Sequence, residues 1–249
     1  MEENKIKDAI VKLDMPKKYE YIEGESNPLY KDFHGRNKIS YSQYTSFNED
    51  YTGQYIANYI LKFEEEGGIF AYFGSACGDY VNKDDQRVDE FLSMEDKLIL
   101  DAIPTPKGSV FEYEILIDLL PLFGVDVVVQ GFSDRQHMSG KQLEVCDFKT
   151  LNLAKKKSFY QSEKYQQLNV YSFGLEQQGY NIGDVYVIGL GRKGNTMDQN
   201  SKNVLRLSGD VERIDHPYSK DEALNTLESM ANTAIEISRL NKLIKRLNK

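Results

Sequence analysis

The spacing of apolar residues divides the chain into stretches of helical and of strand-like period. The first thirty-five or so residues show neither; runs such as EGESNPLYKDFHGRN are polar and turn-rich, and residues 1–39 read as a loosely packed arm. Order is expected from Ser40, because Ser40 and Gln43 stand at the Ser-x-x-Gln spacing of a capping box. A helix should therefore run over 41–66 and stop at Gly67-Gly68. Further helices are expected over about 75–82 and 88–100, ahead of Pro104 and Pro106. The period then changes. Residues 111–117, 126–134 and 142–150 are short, rich in β-branched and apolar residues, and read as neighbouring strands, with a hairpin at Ser139-Gly140 joining the last two.

Helical character returns over 159–178, where Leu168, Tyr171 and Leu175 share a stripe and Gly179 can close the end. The near-continuous apolar run 184–190 suits a buried central strand, and 203–207 a shorter one. A second capping box, Ser219-x-x-Glu222, opens a long amphipathic helix over about 219–247. Helices, three strands, a helix, one or two strands and a helix in that order predict one α/β domain over 40–249, with its core at about 70–210.

Composition narrows the function classes. No run of eighteen apolar residues is present to span a bilayer, and the charged N-terminus lacks the apolar stretch of an export signal, so a cytoplasmic protein is expected. Cys77 and Cys146 are too few for a disulfide framework, and His34, His137 and His216 lack zinc-ligand spacing. A net charge of −8 argues against a protein that coats nucleic acid by charge alone. It suits an enzyme whose bound divalent cations reverse the local field.

The candidate chemistry lies in LEVCDFKT. Side chains two apart on a strand share a face, so Asp147 and Lys149 point one way with Val145, and Cys146 and Phe148 point the other. Alone, that pair reads rather as an ordinary edge-strand ion pair than as a site. The preceding strand ends at Asp134, which a hairpin can set beside Asp147; two adjacent carboxylates repel unless a cation neutralises them, and Mg²⁺ or Mn²⁺ supplies that. Gln167 and Tyr171, four apart, share one helix face. Separately these two have ordinary structural readings as a solvated polar residue and a core aromatic.

The ordered combination, Gly-x-x-Asp ending one strand, Asp-x-Lys on the next and Gln-x-x-x-Tyr on the following helix, resembles the PD-(D/E)XK nuclease superfamily and its RecB-like exonuclease branch. That branch includes phage and CRISPR-associated nucleases. The similarity spans about residues 40–190 and rests on ISYSQYTSF, FGSACGDYV, QGFSD, EVCDFKT and YQQLNVY. It implies a restriction-endonuclease-like core, a mixed central sheet flanked by helices, with helical additions at both ends. It also implies a Mg²⁺- or Mn²⁺-dependent deoxyribonuclease, an exonuclease in recombination, repair or phage DNA metabolism. Asp134, Asp147 and the Phe148 backbone carbonyl would hold the metal. Lys149 would hold or help deprotonate the attacking water, and Gln167 and Tyr171 would position that lysine or a phosphate. The chain departs from relatives that carry His at the fifth position of the first motif, because Gly74-x-x-x-Gly78 stands there; Asp79 and Glu114 are candidate replacement ligands. The iron–sulfur cluster of some relatives needs four cysteines and is not expected here.

Single- or double-stranded DNA is the expected partner, with a recombination or replication protein a further candidate. Lys155, Lys156 and Lys157, followed by Phe159 and Tyr160, have the basic-aromatic pattern of a strand-binding groove, and Arg192-Lys193 forms a glycine-flanked basic loop. Two competing readings remain at this level. One is a catalytically inactive module binding nucleic acid or protein; the other is a hydrolase of RNA or small phosphoesters.

Overall fold

The computed structural model describes residues 30–31, 37–48, 69–82, 91–162, 164–194 and 205–247. The expected capping box closes: Gln43 Oε1 accepts the Ser40 N–H at 3.0 Å and Ser40 Oγ accepts the Gln43 N–H at 3.1 Å, opening helix α1 (Tyr41–Asn48). The rest of that expected helix and its Gly67-Gly68 stop lie outside the described residues. Helix α2 (Ile69–Val81) starts earlier than the expected 75, because its buried stripe begins at Phe73 and continues through Ala76 and Cys77.

A capping box that the sequence reading passed over starts helix α3 (Met94–Asp101), where Asp96 Oδ2 accepts from the Ser93 N–H at 2.9 Å. The other oxygen of the buried Asp96 accepts the Leu207 N–H at 2.7 Å, which satisfies the carboxylate across the core. Residues 83–90, part of the helix expected over 88–100, are outside the described set.

Strand β1 (Tyr30–Lys31) and strand β2 (Asn37–Ile39) fall inside the segment read as a polar arm. Asn37 and Ile39 are fully buried, so the arm's last residues belong to a sheet. After β3 (Val110–Asp118) comes a short helix α4 (Leu120–Phe123) that the sequence reading did not anticipate. β4 (Val128–Ser139) and β5 (Gln142–Leu151) then form the expected hairpin, with Ser139 opposite Gln142 and Gly140 at φ 63° in the turn. β4 is longer than expected because Arg135 and Gln136, polar in sequence, are only 2% and 3% exposed. His137 therefore sits on a strand, 3.5 Å from Glu144.

Helices α5 (Leu153–Tyr160) and α6 (Gln167–Gln177) follow, then β6 (Ile182–Lys193), β7 (Arg206–Asp215) and α7 (Lys220–Leu247). At the start of α7 the Ser219 N–H donates to Asn169 Oδ1 at 2.9 Å.

Packing groups these elements into two compact units. One holds β1, β2, α1, Glu114–Gly131 and α7 from Asp221. In it β2 runs parallel to the first residues of β4, and α1 is tied to α7 by Tyr44 with Ser229 at 3.1 Å and Asn48 with Thr233 at 2.7 Å. The other unit holds Glu66–Tyr113 and Phe132–Lys220, with strand order β4-β5-β6-β7. Its β5 and β6 are parallel, while β4 with β5 and β6 with β7 are antiparallel. Cys146 and Phe148 face a hydrophobic cluster containing Phe73, Cys77, Leu100, Ile188 and Leu207. The opposite face of β5 meets α6.

Candidate active site

The β4–β5 register pairs Arg135 with Cys146, and one step further along it sets Asp134 opposite Asp147 on the face that carries Lys149. Asp134 Oδ2 accepts the Phe148 N–H at 2.6 Å. A strand residue projects its N–H and C=O toward the same neighbour, so the Phe148 carbonyl is also on the Asp134 side.

Asp147 is 1% exposed. Its Oδ2 receives the Lys149 ammonium at 2.7 Å and the Tyr165 hydroxyl at 2.9 Å, while its buried Oδ1 has no partner. Burial, and then the charge of Asp147, raise the Asp134 pKa well above the ordinary carboxylate value, against the opposing pull of Lys149 and the Phe148 N–H. Glu112 adds to the rise. Burial alone would lower the Lys149 pKa, but the charges of Asp147 and Asp134 outweigh it and push it up, so the side chain stays an ammonium. Lys149 is thus a donor and a positive charge in this state, and not a base.

Gln167 and Tyr171 come together as their spacing predicts, with Gln167 Nε2 and the Tyr171 hydroxyl 3.1 Å apart. Gln167 Oε1 lies 3.2 Å from the Tyr165 hydroxyl, which links the pair to Asp147. Burial pushes the Tyr171 pKa up to about 12, so the phenol keeps its proton. Tyr165 is the residue that sequence reasoning missed. It opens YQQLNVY but precedes α6, so no helical spacing connects it to the motif.

Glu114 belongs to the other unit, where Gln130 donates to its carboxylate. Asp79 is half-buried on α2. The acidic residue whose charge reaches Asp134 is instead Glu112, held at φ 49°, an uncommon backbone state for a residue with a side chain, with Asn82 donating to it at 2.6 Å. Lys157 pairs with Glu212 at 2.8 Å, both partners near half exposure. Lys155 and Lys156 lie on α5, their side chains outside the described set. Phe159 and Tyr160 pack against Tyr165, at 5.8 and 4.8 Å between ring centres, which makes them a support for that ring. Arg192 lies over the exposed Phe70 ring at 3.9 Å, and Lys193 is exposed at the end of β6.

Among the described residues no group of three His, Cys, Asp or Glu side chains forms a metal cluster. The donor set that does converge is two carboxylates and a backbone carbonyl. A buried carboxylate oxygen without a donor, opposite a second carboxylate that repels it, fits a hard divalent cation.

No protein-family model and no curated protein matches the chain. The crystal structure of a Eubacterium rectale protein named "Putative exonuclease" aligns over 82% of this chain and 82% of its own, with 12% identity and a TM-score of 0.52. A structure of SSO0001 aligns over 94% of this chain and 85% of its own at 12% identity, with a TM-score of 0.40. The first likeness bears on the fold: an α/β protein whose mixed sheet and flanking helices form a restriction-endonuclease-like core.

Proposed function

We propose that this chain is a divalent-metal-dependent deoxyribonuclease that hydrolyses phosphodiester bonds, an exonuclease serving recombination, repair or phage DNA metabolism. The observation that carries the reading is the state of Asp147, with one oxygen saturated by Lys149 and Tyr165 and the other buried and unpartnered, while its charge acts on Asp134. The motif order in the sequence and the exonuclease name borne by the structural neighbour support it.

In this reading Asp134, Asp147 and the Phe148 carbonyl would hold Mg²⁺ or Mn²⁺, which lowers the pKa of a bound water and offsets charge on the phosphate. Lys149, cationic as derived above, would hold the attacking water or a phosphate oxygen and stabilise charge developing on it. Gln167 and Tyr171 fix the far end of the network that holds Asp147. Arg192, stacked on Phe70, would meet the DNA backbone. Among the described residues no helix is long and apolar enough to cross a membrane, and a DNA substrate goes with the cytoplasmic location expected from sequence.

The test is incubation of end-labelled single- and double-stranded DNA and RNA with the protein under Mg²⁺ or Mn²⁺. Metal-dependent loss of DNA is expected, reduced at least ~10³-fold in Asp147→Ala and Lys149→Ala. Wild-type digestion rates in Lys149→Ala would refute it. One observation favours a second reading, an inactive nuclease-fold module: the absence of a three-residue metal cluster among the described residues, with Gly78 at the motif's fifth position. Calorimetric titration with Mn²⁺ separates the two, because the module binds none at millimolar metal whereas the enzyme shows a site that Asp134→Ala removes.

A further inference from the structure

Tyr165 is 5% exposed, its ring enclosed by Phe159, Tyr160 and His216, and its hydroxyl has one proton and two acceptors in reach. These are Asp147 Oδ2 at 2.9 Å and Gln167 Oε1 at 3.2 Å. An ionised carboxylate is the stronger acceptor, so the proton goes to Asp147. The phenol oxygen then offers Gln167 only lone pairs. A half-turn of the Gln167 amide matches this, placing its nitrogen toward Tyr165 and its oxygen toward the Tyr171 hydroxyl. Donation then runs one way along the chain, from Tyr171 to Gln167, from Gln167 to Tyr165 and from Tyr165 to Asp147, and ends on the carboxylate.

We propose that Tyr165 is a positioning residue of this site: with Lys149 it clamps Asp147 by Oδ2, so that Oδ1 is the single oxygen presented to a divalent cation. The proposal rests on reading Asp134 and Asp147 as a cation site. It gives Gln167 and Tyr171 a specific task, orienting the donor that orients the ligand, and it explains why a buried carboxylate here has one oxygen saturated and the other bare.

Tyr165→Phe removes the hydroxyl and leaves the ring among its neighbours. Titrating the full chain with Mn²⁺ by calorimetry, with no substrate, should show affinity reduced about tenfold, the scale on which such supporting partners act. The metal-free melting temperature should stay within a few degrees of wild type. A ring that only packs would leave Mn²⁺ affinity unchanged, and that result overturns the proposal. Should Tyr165→Phe fail to fold, Gln167→Leu carries the test: a loss of roughly threefold is expected, and wild-type affinity overturns it. Absence of any Mn²⁺ site in the wild-type chain would instead remove the cation reading itself and this proposal with it, an outcome distinct from equal binding by wild type and variant.

Discussion

Asp147 and Phe148 are adjacent on one strand and almost equally hidden, at 1% and 8% exposure, yet the two faces they occupy are held in opposite ways. Phe148 joins a cluster of buried, mostly apolar side chains, with the Arg135 guanidinium 5.1 Å over its ring. Asp147 is buried beside a second carboxylate and an ammonium that are each only partly buried, and repulsion between the acids is only partly offset. The first face contributes stability by removing area from water. The second gives stability up, and a departure from local consistency of this kind is where function is usually found.

The contrast is broken most directly by truncating each neighbour. Phe148→Ala is expected to cost about 3–5 kcal/mol, read as a lowered urea midpoint, because it empties a packed site. Asp147→Ala strands the Tyr165 hydroxyl and leaves the half-exposed Lys149 ammonium to Asp134, so it should lower the urea midpoint less than Phe148→Ala does, while DNA cleavage falls at least ~10³-fold. If Asp147→Ala unfolds the protein and Phe148→Ala does not, the assignment of roles to the faces is reversed.

A second measurement sharpens the cost on the polar face. Asp134 has a raised pKa in the folded chain, so below the ordinary carboxylate value of 3.8 it is protonated in both states and costs nothing. As pH rises from there through the raised native value, the unfolded chain ionises first, and stability is lost over that window. Asp134→Asn keeps an oxygen to accept the Phe148 N–H but cannot ionise. In metal-free protein near pH 7.5 the variant should therefore melt higher than wild type, by roughly 2–4 °C for each kcal/mol recovered, and the difference should shrink as pH falls toward 4. Saturating Mn²⁺ should raise the wild-type melt and leave the variant where it was.

How much of this was legible in sequence follows from the same two faces. Alternation in LEVCDFKT separated Asp147 and Lys149 from Cys146 and Phe148, since period two is a property of any strand. The hairpin at Gly140 and the capping box at Ser40 were legible because local chemistry decides them. Tyr165 was not, because its link to Asp147 spans eighteen residues and comes from a bend with no period of its own. Arg135 and Gln136 disguised the second half of β4, since a buried polar residue looks like turn material until its partners are known; Arg135 donates to the Pro104 carbonyl at 3.0 Å. Lys157 looked like a phosphate contact because Glu212, its partner, lies on β7, fifty-five residues further on.

Outside the strand itself, Arg192 offers a milder test. Stacked on Phe70, it is the cation proposed to meet a backbone phosphate, whereas Lys157 already has a carboxylate partner in an exposed pair of the kind worth about 0–1 kcal/mol. Arg192→Ala should raise KM for DNA by about tenfold with kcat little changed, and reduce the salt dependence of binding by about one phosphate contact. Lys157→Ala should have the smaller effect on KM.

The smallest expected effects concern how α2 approaches the apolar side of β5. Gly74 and Gly78 are one turn apart, yet a Cβ at Gly74 would lie 3.2 Å from Thr150 Oγ1 and a Cβ at Gly78 would meet nothing within 4 Å. Replacing a helical glycine by alanine gains about 0.5–1 kcal/mol from backbone entropy where there is room. Gly78→Ala should realise that gain in a urea titration. Gly74→Ala should gain less, because Thr150 must yield a few tenths of an ångström within a close-packed layer. In a Thr150→Ala background the obstructing oxygen is absent, so the two alanine substitutions should converge. A double-mutant cycle reads this as coupling of Thr150 to Gly74 and none to Gly78. Equal gains in the wild-type background would mean that α2 does not press on β5 at Gly74, and that the apolar face is looser there than its burial indicates.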